Sequence, residues 1–278
     1  MKCFYHNDMD GKCAGAIVHR YYNGQGDYRS IDYNQDFPFG DIKENEEVVI
    51  VDFSLQKEGG FEKLFNITKN VIWIDHHKTA IEKHKFNFPV GGIRRNGISG
   101  CELTWEYFYN SEPPKVVKLL GDYDIWAFKY GDASKALQFG IRLNDTNPQS
   151  ENWKHWLDRE FNIQNMINDG FLVMRYKINS NESQVRAWGR YAKFEGYKAI
   201  TCNQGATNSQ LFDSVDSTTY DIMMPYVFDG KQWTIYIYST NPDIDVSELA
   251  KKYGGGGHKG AAGFQCKQLP LRFIETKD

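Results

Sequence analysis

Carboxylates and imidazoles gather at the ends of three short apolar runs. Lys2-Cys3-Phe4-Tyr5 leads into His6, Asp8 and Asp10; Val48-Val49-Ile50-Val51 leads into Asp52; and Val71-Ile72-Trp73-Ile74 leads into Asp75, His76 and His77. Several aspartates brought close together repel one another unless cations offset them. A donor set of imidazole and carboxylate without thiolate suits manganese, iron or zinc better than calcium. There are more such donors than one octahedral ion can use. Two divalent ions about 3.5–4 Å apart, bridged by a shared carboxylate, would use them fully, as in two-metal phosphoester chemistry. Simpler roles exist for single residues: Asp8 as a helix cap, Asp52 as a turn or cap residue. Neither accounts for His6 or for the second aspartate of the first cluster.

The convergence of these groups requires a particular scaffold. The apolar runs are short and rich in β-branched or aromatic residues, so they read as buried strands. Helical spacing follows the first two, through Ala14, Ile17, Val18 and Tyr21, and through Phe61, Leu64 and Phe65. The β-α-β-α-β alternation implies a parallel sheet, whose strands present their carboxyl ends on one edge, where open α/β sheets build their sites. An extended backbone would put His6, Asp8 and Asp10 on one side, with Gly11 turning into the helix. A strand over 28–33 and a helix from about Cys101 complete this part. Later, Gly121-Asp122-Tyr123-Asp124-Ile125-Trp126 offers one more ligand from Asp122 or Asp124. Arg94 and Arg95 follow a glycine pair and read as solvated loop residues, with phosphate binding the less favoured use.

The 278 residues suggest two domains, with a first domain over 1–149, a helical connector over 150–195 and a smaller C-terminal domain over 196–278. Trp153, Trp156, Leu157, Phe161, Val185, Trp188 and Tyr191 recur near the helical period in the connector and read as packing residues. Beyond it, 197–202, 220–227 and 233–238 read as strands, with Asp229-Gly230 as a hairpin turn. A short helix over 246–253 then runs into GGGGHKGAAGF. Glycines without β-carbons let backbone amides approach a phosphate or sugar closely, and His258 is placed to donate to an anion. We therefore take Gly255, Gly256, Gly257 and His258 as a ligand contact in a glycine loop.

A net charge of −3 argues against a partner of long duplex nucleic acid, which calls for a strongly basic face. No apolar run approaches a bilayer span of about 20 residues. The N-terminal MKCFYHNDMDG lacks an apolar signal region, and the five cysteines are scattered without a Cys-x-x-Cys pair. No export, no disulfide framework and a cytoplasmic location are expected.

With both signatures in view, the chain resembles the DHH–DHHA1 phosphoesterase family over nearly its whole length. HNDMDG, the aspartate of VDFS, IDHHK, GDYDIW and GGGGHKGAAGF are similar to its motifs in order and spacing. The bacterial nano-RNases, some of which also dephosphorylate 3′-phosphoadenosine 5′-phosphate, are the branch it looks most like. The resemblance implies an α/β fold: a parallel-sheet DHH domain, a helical connector and a smaller α/β DHHA1 domain, with the active site between the lobes. His6, Asp8, Asp10, Asp52, His76 and Asp124 match the di-metal ligands, with Asp52 the bridge and Asp122 the alternative to Asp124. Asp75 would orient the adjacent imidazole, and His77 would face the scissile phosphate. Gly255 to His258 would grip the far end of the substrate, and manganese is the expected metal. One departure stands out. Many relatives carry an arginine where this chain has Tyr236-Ile237-Tyr238-Ser239-Thr240, and a bidentate guanidinium contact is not replaced by tyrosine.

The expected function is hydrolysis of very short oligoribonucleotides to nucleoside 5′-monophosphates. Linear or cyclic dinucleotides and 3′-phosphoadenosine 5′-phosphate are alternative substrates of the same chemistry. A non-catalytic nucleotide sensor is a remote alternative, because an inactive relative should have lost ligands. Pyrophosphatase and long-strand exonuclease are disfavoured by the C-terminal signature and by length respectively. A homodimer is compatible with the sequence.

Overall fold

The computed structural model describes residues 1–33 and 35–274. The chain divides into two compact units, Met1–Met174 and Arg175–Asp278. In the first unit, β1 (Lys2–His6) is followed by α1 (Met9–Tyr21), β2 (Asp27–Ile31), β3 (Val48–Val51), α2 (Gly60–Ile67), β4 (Val71–Ile74) and α3 (Lys78–Lys83). Then come α4 (Gly100–Tyr109), α5 (Lys115–Asp124), α6 (Asp132–Gly140) and α7 (Asn152–Trp156). The long α8 (Gln164–Trp188) begins in this unit and ends in the second.

The four strands form a wholly parallel sheet in the order β2-β1-β3-β4. Every residue of β3 is buried, as a central parallel strand covered on both faces requires. The side chains divide by the two-residue period of a strand. Cys3, Tyr5, Val49, Val51 and Ile74 pack with α1, α4 and α5, whereas Phe4, Val48, Ile50 and Trp73 pack with Phe61 and Leu64 of α2. Register decides where the site falls. Tyr5 pairs with Val51 and Val51 with Ile74, so the next residues, His6, Asp52 and Asp75, leave the sheet at one level.

Helix α1 starts earlier than the alternating pattern suggested. Asp8 is its N-cap and Asp10 lies in its first turn, so neither stands on extended strand. Two residues from β1 to α1 leave no room for a separate turn, and Gly11 is helical. Its lack of a side chain serves proximity instead, since a β-carbon there would lie 2.2 Å from the His6 carbonyl oxygen.

The second unit holds β5 (Arg190–Phe194), β6 (Tyr197–Asn203), β7 (Ile222–Phe228), β8 (Trp233–Tyr238), α9 (Val246–Lys251), β9 (Gly256–His258), β10 (Ala261–Cys266) and β11 (Arg272–Phe273). They form a mixed sheet in the order β11-β5-β6-β7-β8-β10-β9, with β6 and β7 the parallel pair. Residues 190–194, expected to continue the helical connector, are a strand instead. The helix stops before Gly189, and Tyr191, which falls in the helical period, pairs with Ile200 across β5 and β6. The glycine stretch also differs from the expected loop: Gly256–His258 is an edge strand paired with β10. Among the described residues, no helix is long and apolar enough to cross a membrane.

Candidate metal centre

The carboxyl edge of the parallel sheet collects the residues singled out in the first unit. His6 closes β1, Asp52 follows β3, and Asp75, His76 and His77 follow β4. Asp8 and Asp10 come from the start of α1, and Asp124 from the last residue of α5. Ligand atoms of His6, Asp8 and Asp52 lie within 4.8 Å of one another, as do those of Asp10, His76 and Asp124, and those of Asp52, His76 and His77. Asp52 and His76 each belong to two of these groups. Asp52 Oδ1 is 3.1 Å from His76 Nε2, and Asp52 Oδ2 is 3.8 Å from His6 Nδ1.

Asp52 tests whether a cation fits. Its side chain is 1% exposed, and neither carboxylate oxygen has a hydrogen-bond partner. Its backbone also departs from the strand, with φ at +52°. Burial, then repulsion from Asp10, Asp8, Asp124 and Asp75, holds its pKa well above the ordinary carboxylate range. Asp124 is raised in the same direction by burial and by Asp10, Asp8 and Glu102. Carboxylates this close ionise together only when positive charge offsets them. A divalent cation supplies that charge and takes up the unpartnered oxygens, so the donor set fits one.

The neighbouring groups are prepared in different ways. Burial lowers the pKa of His76, favouring the neutral imidazole that ligates metals. His6 is raised: burial works against protonation, but the hydrogen bond and charge of Asp8 outweigh it. Asp8 lies 2.8 Å from His6 Nδ1 through one oxygen and caps α1 through the other, which accepts from the Gly11 amide. Asp10 is held by amides at the start of α4, accepting from Gly100 N at 2.7 Å and Cys101 N at 3.0 Å.

Asp75 does not join the ligand groups. Its Oδ1 accepts from the backbone amides of His76 and His77 and lies 2.7 Å from His77 Nδ1. The imidazole it orients is therefore that of His77. A proton held on Nδ1 makes Nε2 the acceptor nitrogen of the neutral ring. Asp122 is committed elsewhere, accepting from the amides of Lys129 and Tyr130 and from Ser134 Oγ, whereas Asp124 Oδ2 lies 3.5 Å from His76 Nε2.

Gly255, Gly256, Gly257 and His258 belong to the second unit, at the β9 end of its sheet. A β-carbon at Gly255 would lie 2.1 Å from the Gly263 carbonyl oxygen, and one at Gly257 2.5 Å from that of Ala261. One at Gly256 would meet nothing within 4 Å. Folding thus explains the flanking glycines and not the middle one. Arg94 donates to the carbonyls of Trp73, Gly91 and Val90, and Arg95 pairs with Glu106. Arg94 is thus tied to the protein backbone and not solvated as expected, while Arg95 is an exposed ion pair.

Sequence reasoning passed over Asp32, whose Oδ1 lies 3.7 Å from His6 Nε2. The signal was present, because β2 ends at Ile31 and Asp32 follows it as Asp52 follows β3. Extending the strand to Tyr33 hid it. The ring of Tyr33, 5.3 Å from that of His6, was passed over for the same reason.

Residues 3–122 match the DHH family, N-terminal domain. The parallel sheet followed by a separate mixed sheet is the architecture expected for a DHH domain with a DHHA1 partner. The pGpG-specific phosphodiesterase PggH of Vibrio cholerae shares the fold at 16% identity, with a TM-score of 0.58 over 96% of this chain and 93% of that one. A DHH domain described as a member of the s1p family of ribosomal proteins matches at 13% identity and a TM-score of 0.58, over 98% and 82% of the two chains. An exopolyphosphatase-related protein from Bacteroides fragilis matches at 13% identity and 0.56, over 96% and 87%. An uncharacterized protein of Acanthamoeba polyphaga mimivirus is 26% identical over 242 residues, 83% of this chain and 55% of that protein. The chain spans about half the length of that curated relative.

Proposed function

We propose that this chain is a metal-dependent phosphodiesterase that hydrolyses very short oligoribonucleotides to nucleoside 5′-monophosphates in the cytoplasm. The observation that carries the reading is the buried carboxylate of Asp52, unpartnered and within reach of histidines from two other strands. In this reading His6, Asp8, Asp52, Asp10, His76 and Asp124 would hold the ions, with Asp52 the shared ligand by expectation. Two divalent ions, manganese by expectation, would supply Lewis acidity toward the phosphate oxygens and acidify the attacking water.

The chain's own residues do the rest. Asp75 keeps a proton on His77 Nδ1, and Nε2 would then serve the reacting phosphate as acceptor or proton carrier. Gly255, Gly256, Gly257 and His258 would contribute a nucleotide contact from the second unit, with Gly256 leaving backbone open to close approach. The net charge of −3 supports a short substrate over a long one. Because no arginine occurs in 236–240, the terminal contact rests on backbone donors and imidazole in place of a guanidinium fork.

A manganese-supplemented turnover panel tests the reading. Its arms are oligoribonucleotides graded by length, pGpG (for which the Vibrio enzyme is named), cyclic dinucleotides, 3′-phosphoadenosine 5′-phosphate and pyrophosphate. Nucleoside monophosphate should be released fastest from the shortest oligomers. Retention of that activity by Asp52→Ala or His76→Ala would show the metal centre to be wrongly assigned.

A further inference from the structure

A cavity of about 310 Å³ lies beside the metal centre, lined in part by Tyr33, Phe37, Phe39, Phe53, Ser54 and Lys63. This is at the small end of the ~300–1,000 Å³ usual for ligand sites. It is walled by the segment after β2 and by the chain that carries Asp52 toward α2, so the first unit alone builds it.

Tyr33 joins the cavity to the cluster. Its ring centroid is 5.3 Å from that of His6 and 6.1 Å from that of His77. The same ring stacks on Phe53, with centroids 4.8 Å apart and planes 24° apart. Burial, then the charges of Asp75, Asp52 and Asp8, holds its phenol above the ordinary tyrosine range, as expected for a group among those carboxylates. Yet the residue is 37% exposed, which a ring serving only the core would not be. The Ser54 hydroxyl is fully buried without a well-formed hydrogen bond. Lys63 Nζ sits 4.4 Å from the centre of the Phe39 ring, in a wall whose charges, Lys57 and Lys63 against Asp36 and Glu58, balance.

A partly open aromatic ring, backed by a second ring and one side chain away from His77, suits a planar π-ligand carried by the phosphate being attacked. We propose that the Tyr33–Phe53 stack and its cavity hold the nucleobase of the nucleotide whose phosphate reacts at the metal centre. This subsite rests on the phosphodiesterase reading above and assigns part of base recognition to the DHH domain. Stacking tolerates any base because every base has a π-face, so the subsite would favour nucleotides over base-free phosphoesters without selecting among sequences.

The test combines turnover and binding in the full chain with manganese. Wild type, Tyr33→Phe and Tyr33→Leu are compared on a dinucleotide and on its two forms made abasic at one position. Wild type and Tyr33→Phe should lose about tenfold in kcat/KM when one of the two bases is removed, and Tyr33→Leu should lose that discrimination. In equilibrium dialysis, adenosine 5′-monophosphate should bind wild type and Tyr33→Phe alike and Tyr33→Leu about tenfold more weakly. If no variant turns over but monophosphate binding follows Tyr33, the phosphodiesterase reading fails and the subsite stands. If Tyr33→Leu slows base-bearing and abasic substrates equally, or binds the monophosphate as tightly as wild type, the subsite is wrong.

Discussion

Asp75 and His77 are joined side chain to side chain at 2.7 Å, and the same carboxylate oxygen also receives the His77 backbone amide at 3.2 Å. Two contacts to one oxygen fix both the position of the residue and the face its ring presents. Replacing Asp75 by asparagine keeps the shape but lets the side chain donate as well as accept, freeing the tautomer. Asp75→Asn should lower kcat by about a hundredfold, in the range of general acid–base contributions. Metal content measured by atomic emission should be unchanged; loss of metal along with activity would make Asp75 a part of the ligand shell.

Asp52 sets stability and activity against each other. Its buried, repelled carboxylate burdens the metal-free fold, and an asparagine amide would offer donors to the surrounding carboxylates. Asp52→Asn should raise the metal-free Tm, through a gain of about 1–2 kcal/mol, while abolishing measurable turnover and the thermal shift on adding manganese. A metal-free variant less stable than wild type would contradict this account.

The two aspartates of GDYDIW should separate cleanly. Asp122 holds the segment leading into α6 through three donors, so Asp122→Asn should destabilise the protein by about 1–3 kcal/mol with metal stoichiometry intact. Asp124→Asn should reduce manganese bound per chain in isothermal titration with little loss of Tm. The reverse pattern would exchange their roles.

Gly256 probes the second unit without disturbing its fold, since a β-carbon there meets nothing within 4 Å. Gly256→Ala should leave the unfolding temperature unchanged and raise KM for a dinucleotide about tenfold, equivalent to ~1.4 kcal/mol of binding. An unchanged KM would remove the middle glycine from the substrate contact.

Gly11 is the contrasting case, because a β-carbon there would collide with the His6 carbonyl oxygen at 2.2 Å. Gly11→Ala should cost about 3 kcal/mol or more, seen as a Tm lower by roughly 6–12 °C for a unit of this size. A wild-type Tm would mean that α1 can shift away from β1.

The scaffold was legible where local chemistry and tertiary position agree. Val48 to Val51 reads as a buried strand because β-branched apolar residues fill both faces, and the structure buries all of them. Asp52 and Asp75 were readable as edge residues because parallel strands align their exits. What escaped depends on competition between neighbouring rules. Asp8 alternates with His6 and Asp10 as a strand would, yet its carboxylate captures the Gly11 amide and starts α1 at once. Tyr191 continues a helical period, but ladder pairing with β6 claims it. Gly256 to His258 read as loop because glycine has low strand propensity, and pairing with β10 overrides that preference. The cavity at Tyr33 had no sequence signal, since stacking on Phe53 joins segments that only the fold brings together.

The left-handed backbone of Asp52 constrains how this centre can evolve. Metal preference shifts when a ligand of one type is exchanged for another, thiolate for carboxylate being the sharpest change. At φ +52° aspartate is among the few side-chain-bearing residues that sit without much strain, whereas glutamate or cysteine would carry the steric penalty of that region. Asp124, at the end of a right-handed helix, faces no such restriction. Any drift in metal identity would therefore begin at the periphery of the cluster and reach its centre last.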